Sequence, residues 1–333
     1  MIRFGIIGCG NVSQTYLYEL SRNINSEVVA IVDTDITKAH NNAELFGVAN
    51  VYSDYKEMLN NEHIDAVIIC TPHFAHYEQA IACAKKGLHI LCEKPLATSL
   101  EDIKKMIDEC SKMKFSVMLQ RRFYPNSIAV ANAIKSGALG SIIEVSLDFT
   151  CYKSPDFYNN WRGKKISGGG VLISQALHRI DQLSFFFGEA QYVEGITKII
   201  QQEIEVEDYA KGEIYFSNDI VANIEANNSS GDPDTISIIK IKGSMGEIVL
   251  SDDKTIEWRV KGMPLPSEAD INRIPTKYRP EYYGPCHEEV INDFVDAIFN
   301  DRQPIITGVD ALPSMEIIFG FYKSAEMKKR IAL

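Results

Sequence analysis

The chain has 333 residues with 45 acidic and 34 basic side chains, a formal net charge of -11, and a length that suits two domains of ordinary size. So acidic a composition argues against a broad nucleic-acid footprint and against a polybasic membrane anchor, both of which need clustered Lys and Arg. No apolar run approaches the roughly 20 residues that span a bilayer, and the N-terminus, Met1-Ile2-Arg3-Phe4-Gly5, reads as the start of a strand, not as a signal peptide.

In chain order, residues 2–7 read as a strand, 12–22 as a helix, 27–32 as a strand and the stretch around 38–46 as a helix. Residues 66–70 are almost wholly apolar, as expected of a strand buried on both faces. A helix over 75–86 ends before Gly87, a fitting C-cap residue. Strand 89–92, helix 100–112 and strand 115–118 follow. Strands alternating with helices predict an α/β, doubly wound parallel sheet, here over residues 1–121.

The pattern changes after about Gln120. Residues 125–135 look helical, 142–152 alternate like a strand, and 153–165 form a polar loop carrying Trp161. Residues 172–187 read as one long apolar helix capped by Gly188. Strand-like runs then follow at 192–199, 208–216, 220–226, 236–241 and 247–250, with little helix between them. The stretch 261–285 reads as loop, and helices over 287–299 and 313–329 close the chain. Strands joined by turns predict a second, α+β domain over 122–333 built on a large open antiparallel sheet. There is no internal repeat.

The seven cysteines, Cys9, Cys70, Cys83, Cys92, Cys110, Cys151 and Cys286, are scattered and never at CxxC spacing. That predicts no zinc or other metal site, and buried thiols in a reducing, cytoplasmic compartment.

After the first strand comes Gly8-Cys9-Gly10-Asn11-Val12-Ser13. A tight glycine turn between strand and helix lets backbone N–H groups approach a pyrophosphate, and the helix N-terminus adds a favourable dipole. Ser13 stands where the usual fingerprint has Gly or Ala, but is small enough to keep helix and strand close. The second strand ends in Ala30-Ile31-Val32-Asp33. An acidic residue there accepts the adenosine ribose hydroxyls and repels a 2′-phosphate, which predicts NAD over NADP. The plainer alternative is that Asp33 only caps the following helix.

Further along, Glu93-Lys94-Pro95 follows a strand, as does Cys70-Thr71-Pro72-His73-Phe74-Ala75-His76. Gln120-Arg121-Arg122-Phe123 follows another, and Trp161-Arg162 precedes Gly168-Gly169-Gly170 and a helix bearing His178 and Asp181. In that joint order the segments resemble the EKP, TPxxxH and GGGxLxDxGxHxxD pieces of the Gfo/Idh/MocA oxidoreductases across nearly the whole chain. The resemblance implies an N-terminal Rossmann domain, a C-terminal domain with a large open antiparallel sheet, and a nicotinamide cofactor at the strands' C-terminal ends. Cofactor contacts are then expected from Gly8, Cys9, Gly10, Asn11, Val12, Asp33, Thr71, Pro72, His76, Glu93, Lys94, Gln120, Arg122, Trp161 and Arg162. For His76 a place on a solvated helix face is the alternative, and for Trp161 a packing anchor.

By the same resemblance Lys94 sits beside the nicotinamide and hydrogen-bonds the reacting oxygen, where its ammonium stabilises an alkoxide. His178, whose ordinary pKa lies near neutrality, is the expected general acid/base; the alternative is a histidine merely packed in an apolar helix. Ser174, four residues earlier on the same predicted face, is a departure, since many relatives that oxidise free polyols carry Asp there. Gln175-Ala176 and the segment Tyr283-Gly284-Pro285-Cys286-His287 are similar to relatives acting on nucleotide-linked sugars. Substrate contacts are expected from Lys94, Arg121, Tyr152, Ser174, Gln175 and His178.

The expectation is an NAD(H)-dependent oxidoreductase acting on a secondary alcohol or ketone of a sugar or nucleotide-linked sugar. Its rivals are a free polyol, inositol or aldose dehydrogenase and a non-catalytic, NAD- and sugar-sensing regulator. A large open sheet also predicts a homo-oligomer, a dimer or tetramer.

Overall fold

The computed structural model describes residues 1–200, 204–229, 236–270, 274–275, 277–279 and 283–333. Contacts divide the chain into two compact units, residues 1–120 with 270–312, and 121–269 with 313–333.

In the first unit the order is β1 (Ile2–Ile7), α1 (Ser13–Arg22), β2 (Ser26–Val32), α2 (Ile36–Phe46), β3 (Asn50–Tyr52), α3 (Tyr55–Asn61), β4 (Ala66–Ile69), α4 (His76–Lys85), β5 (His89–Cys92), α5 (Leu100–Glu109) and β6 (Phe115–Val117). All six strands run parallel in the order β3-β2-β1-β4-β5-β6. Every residue of β4 is buried because helices cover both faces of the sheet. The strand order reverses between β1 and β4, and open α/β sheets bind ligands at such a switch point. The pair β3 and α3 lies in a stretch for which the sequence predicts no element. The strand has only three residues, and α3 is capped by Asp54, whose side chain accepts from the Lys56 N–H. The chain returns to this unit through residues 270–312, where Phe294 meets Phe4 edge-on at 6.3 Å between ring centroids.

The second unit contains α6 (Pro125–Lys135), β7 (Ile142–Thr150), α7 (Pro155–Tyr158), α8 (Leu177–Phe187), β8 (Ala190–Lys198), β9 (Tyr209–Phe216), β10 (Val221–Asn227), β11 (Ile236–Gly243), β12 (Glu247–Ser251) and β13 (Lys254–Arg259). After α9 (His287–Phe299) in the first unit, α10 (Leu312–Met327) leads back to the short β14 (Ile331–Ala332). The eight strands form an open sheet in the order β13-β12-β11-β7-β10-β9-β8-β14. Its pairs are antiparallel except β7 with β10, which run parallel. Burial alternates along β7 and β10: Val145, Leu147, Ala222, Ile224 and Ala226 are buried, while the residues between them are not. That is the signature of a sheet covered on one face. On the uncovered face Lys211 pairs with Glu225 at 2.9 Å.

The structure corrects one helix. The long helix expected over 172–187 is a π-helical turn, Val171–Ala176, followed by α8. A continuous apolar run carries no trace of that change, since both helix types bury such residues equally. Part of the loop expected over 261–285 lies outside the described residues. Among the described residues no helix is long and apolar enough to cross a membrane.

Candidate functional site

In the first unit the glycine turn sits at the end of β1. Gly8 has φ of +105°, and a Cβ there would lie 2.7 Å from the Cys70 carbonyl oxygen at the end of β4. Only glycine permits both the backbone angle and the approach. A Cβ on Gly10 would meet nothing within 4 Å, so the turn's outer side opens onto free space. Gly10 and Asn11 are exposed and Val12 half-buried. The site fits a dinucleotide: an uncrowded backbone turn at the start of α1, with an acidic side chain closing one flank.

That side chain is Asp33. Its Oδ2 accepts from the Cys9 N–H at 2.7 Å and its Oδ1 from the Asp35 N–H at 2.8 Å. The residue that caps α2 is Asp35, which accepts from Thr37, so the capping alternative for Asp33 falls away. Ser13 is fully buried; its hydroxyl donates to the Gly10 carbonyl at 2.6 Å and accepts from Asn42 Nδ2 at 3.0 Å. The departure from Gly or Ala is therefore a closed hydrogen-bond link that locks the turn to α2. Burial, with the Asp33 charge beside it, pushes the Cys9 thiol up to about 12, which leaves it inert.

The loops after β4 and β5 are tied together by His76. Its ring is buried, with Nδ1 2.8 Å from the Pro95 carbonyl and Nε2 2.8 Å from the Thr71 carbonyl. This corrects the solvated-face alternative: the ring holds the Thr71-Pro72 and Lys94-Pro95 segments in register. Burial, with a smaller push from the Lys94 charge, lowers the His76 pKa. Thr71 donates its hydroxyl to Gln79 at 2.6 Å. Glu93 accepts from the Tyr16 hydroxyl at 2.7 Å and from the Lys94 N–H at 3.2 Å. Burial raises the Glu93 carboxyl above its usual range, while the Lys94 ammonium pulls the other way. Lys94 itself is half-buried at the end of this strand-and-loop arrangement. Gln120 is buried and donates to the Tyr283 carbonyl at 3.1 Å, so the Tyr283-Gly284 segment packs onto the end of β6.

In the second unit the arginines after Gln120 are held by carboxylates. Arg122 forms a two-pronged pair with Asp181, Nε to Oδ2 at 2.9 Å and Nη2 to Oδ1 at 2.8 Å, and lies over the Phe185 ring. Asp181, three residues beyond His178, thus binds Arg122 with both oxygens. Arg121 pairs with Asp253 and lies over Tyr124. Arg179, which the sequence does not single out, is buried beside them, with its pKa lowered to about 9 by burial and by the Arg121 charge. It donates to Gln182 Oε1 at 2.8 Å, three residues on along the helix, and lies 3.8 Å from Asp253, a partner distant in sequence.

Trp161 and Arg162 form a short turn in which the guanidinium lies 4.6 Å from the Trp161 ring centroid and 5.1 Å from that of Phe157. A Cβ on Gly169 would run into the Arg162 carbonyl, so this glycine permits the turn to pack against the start of the π-helical segment. Ser174 donates its hydroxyl to the Gly170 carbonyl. Gln175 lies beside Cys151, with Oε1 4.0 Å from the thiol sulfur, and Tyr152 is half-buried just beyond β7. His178 occupies the second position of α8, just past the π-helical turn, and is half-buried. Turns of this kind are frequent at functional sites.

Two domain descriptions match this chain: the Gfo/Idh/MocA oxidoreductase family's NAD-binding Rossmann fold over residues 2–120 and its C-terminal alpha/beta domain over 131–333. The chain belongs to the Gfo/Idh/MocA oxidoreductase family. The WlbA dehydrogenase of Bordetella pertussis, crystallised with NADH and UDP-GlcNAcA, is 26% identical. That likeness covers 100% of this chain and 98% of the other, with a TM-score of 0.88. Myo-inositol 2-dehydrogenase of Thermotoga maritima is 24% identical over 357 residues, covering 100% of this chain and 98% of that protein. Levoglucosan dehydrogenase of Pseudarthrobacter phenanthrenivorans is 30% identical over 274 residues, covering 74% of this chain and 68% of that protein. The chain is an NAD(H)-dependent oxidoreductase with a Rossmann domain and an open-sheet domain.

Proposed function

We propose that this oxidoreductase transfers a hydride to or from a secondary alcohol or ketone of a nucleotide-linked sugar. The observation that carries the reading is the full-length likeness to a dehydrogenase crystallised with NADH and UDP-GlcNAcA. Ser174 supports it: by the family resemblance many relatives that oxidise free polyols or sugars carry Asp at that place, whereas here a hydroxyl donates to a backbone carbonyl.

Bound NAD(H) supplies the hydride acceptor or donor. The backbone of Gly8, Cys9, Gly10, Asn11 and Val12 cradles its pyrophosphate, and Asp33 takes the adenosine ribose hydroxyls and disfavours a 2′-phosphate. Thr71, Pro72, Glu93 and Gln120 shape the nicotinamide end, with His76 holding the two loops. The family resemblance adds Arg122, Trp161 and Arg162 as further cofactor contacts. The Lys94 ammonium stabilises negative charge developing on the reacting oxygen. His178 takes up the hydroxyl proton on oxidation and returns it on reduction. Arg121, Tyr152, Ser174 and Gln175 orient the sugar and its nucleotide.

The full-length likeness to a myo-inositol 2-dehydrogenase favours a second reading, a free cyclic polyol as substrate. Nicotinamide absorbance decides between them. Purified protein is mixed with NAD+ and a panel of nucleotide sugars, aldoses, inositols and polyols. Reduction by nucleotide sugars supports the first reading, and reduction only by an inositol or aldose supports the second. Silence from protein that binds exchangeable NAD+ removes both. The seven buried cysteines support a cytoplasmic site of action, and the uncovered sheet face supports a homo-oligomer.

A further inference from the structure

The helix that carries His178 begins in an unusual way. The first N–H groups of a helix have no partner within it, and Gly170, at the N-cap position, offers no side chain. Partners arrive from elsewhere in the same unit. The Val171 N–H donates to the Glu207 carbonyl at 2.9 Å, and the Leu172 N–H donates to Glu207 Oε1 at 3.1 Å. The Tyr322 hydroxyl of α10 donates to the same Oε1 at 3.0 Å. Two successive amides are thus met by one residue just before β9, whose carboxylate is held in turn by one on α10. Gly170 makes the approach possible: its φ is +111°, and a Cβ there would strike both oxygens of the Glu207 carboxylate.

We propose that Glu207 is a positioning residue for His178, its carboxylate and the Tyr322 hydroxyl forming a detached N-terminal cap that fixes the π-helical turn leading into α8. The inference rests on the reading of His178 as the proton-transfer group. It adds a residue that acts through the helix and touches no reacting atom.

The cap is sensitive to ionisation. A carboxylate accepts from both the Leu172 amide and the Tyr322 hydroxyl, and the positive end of the helix dipole favours its charge. Protonation turns one oxygen into a donor and weakens the arrangement. Burial pushes the Glu207 carboxyl up to about 7; the amides of Leu172 and Glu207 and the Tyr322 hydroxyl pull it back, and the neighbouring Asp208 charge adds to the rise. Tyr158 faces the same carboxylate from α7 and is itself raised to about 12, chiefly by burial. Because the folded value lies above that of an exposed carboxyl, the group is neutral below neutrality, and the full cap forms as pH rises through about 7.

The test is a pH titration by NMR from mildly acid to mildly alkaline solution on full-length protein carrying 15N-leucine and 15N-histidine. It follows the Leu172 amide and the His178 ring. In the wild type the Leu172 amide proton moves with a midpoint near 7 and His178 responds at the same midpoint as well as at its own. In Glu207→Gln the Leu172 inflection disappears and His178 keeps a single titration. Tyr322→Phe, which retains the carboxyl, moves the Leu172 midpoint upward, and this arm serves even where Glu207→Gln does not fold. With whichever sugar the absorbance panel identifies, Glu207→Gln lowers kcat several-fold and leaves KM for NAD+ unchanged. A Leu172 amide that does not titrate, or titrates alike in wild type and both variants, overturns the proposal. If the coupled titration is seen but His178→Ala retains full turnover, it is the assignment of His178 that fails.

Discussion

The glycine turn of the first unit closes on partners from its first two β–α units, Asp33 on Cys9, Ser13 on Gly10 and Asn42 on Ser13. The turn that leads into His178 is held from far away, by Glu207, 35 residues from Leu172, and by Tyr322. Both regions depend on glycines: Gly8, like Gly169 and Gly170, lets the protein pack closely on itself, and Gly10 stands apart. At Gly10 the space beyond the backbone is empty and available to a ligand, whereas at Gly169 and Gly170 it is filled by other parts of the same unit. A glycine-rich segment can therefore make room either for a ligand or for the protein itself, and the two uses separate experimentally.

The largest expected effect falls on the chemistry. His178→Ala lowers kcat by about 10²–10⁴-fold, the range of general acid–base catalysis, with NAD+ affinity essentially unchanged; retention of most activity would return His178 to packing. Lys94→Ala is expected to lower kcat comparably and to weaken NAD+ binding too, as its proposed place beside the nicotinamide requires. Next comes the glycine contrast. Gly170→Ala forces a side chain into a positive-φ position against Glu207 and costs about 1–3 kcal/mol of stability, read as a lowered Tm. Gly10→Ala leaves Tm nearly unchanged and weakens NAD+ binding, since its methyl occupies the space of the ligand. If both variants lose stability equally, the distinction between the two turns is gone.

Smaller effects sharpen the first region. Asp33→Asn is expected to lower NAD+ affinity by about tenfold, equivalent to about 1.4 kcal/mol, and to narrow the preference over NADP+. Titration calorimetry with the two cofactors measures both changes, and an unaltered ratio would detach Asp33 from cofactor choice. Ser13→Ala removes the hydroxyl that links Gly10 to Asn42 and costs about 1 kcal/mol, seen in chemical denaturation.

The first region was the more legible in sequence because its interactions are local. A strand, two glycines and an acid at the next strand's end determine the turn within one supersecondary unit. The alternating burial of β7 and β10 and the apolar run of β4 were equally readable. Edge pieces escaped: β3 and β14 are set by pairing with longer neighbours more than by a pattern of their own, and β13 is an edge strand paired only with β12. The π-helical turn escaped because apolar periodicity over 172–187 does not register one extra residue per turn. Glu207 escaped because Glu-Asp before a strand reads as solvated charge, and its partners are distant in sequence. His76 was half legible: its motif was plain, but its burial between two backbone carbonyls follows only once the loops after β4 and β5 are brought side by side.

The central claim is hydride exchange between NAD(H) and a nucleotide-linked sugar with His178 moving the proton. It is tested most directly by following nicotinamide absorbance with UDP-GlcNAcA and with the same sugar freed of its nucleotide, side by side, in wild type and His178→Ala. The account predicts turnover that favours the nucleotide-linked form and collapses in the variant. Equal or better turnover of the free sugar, or a variant as active as the wild type, would contradict it.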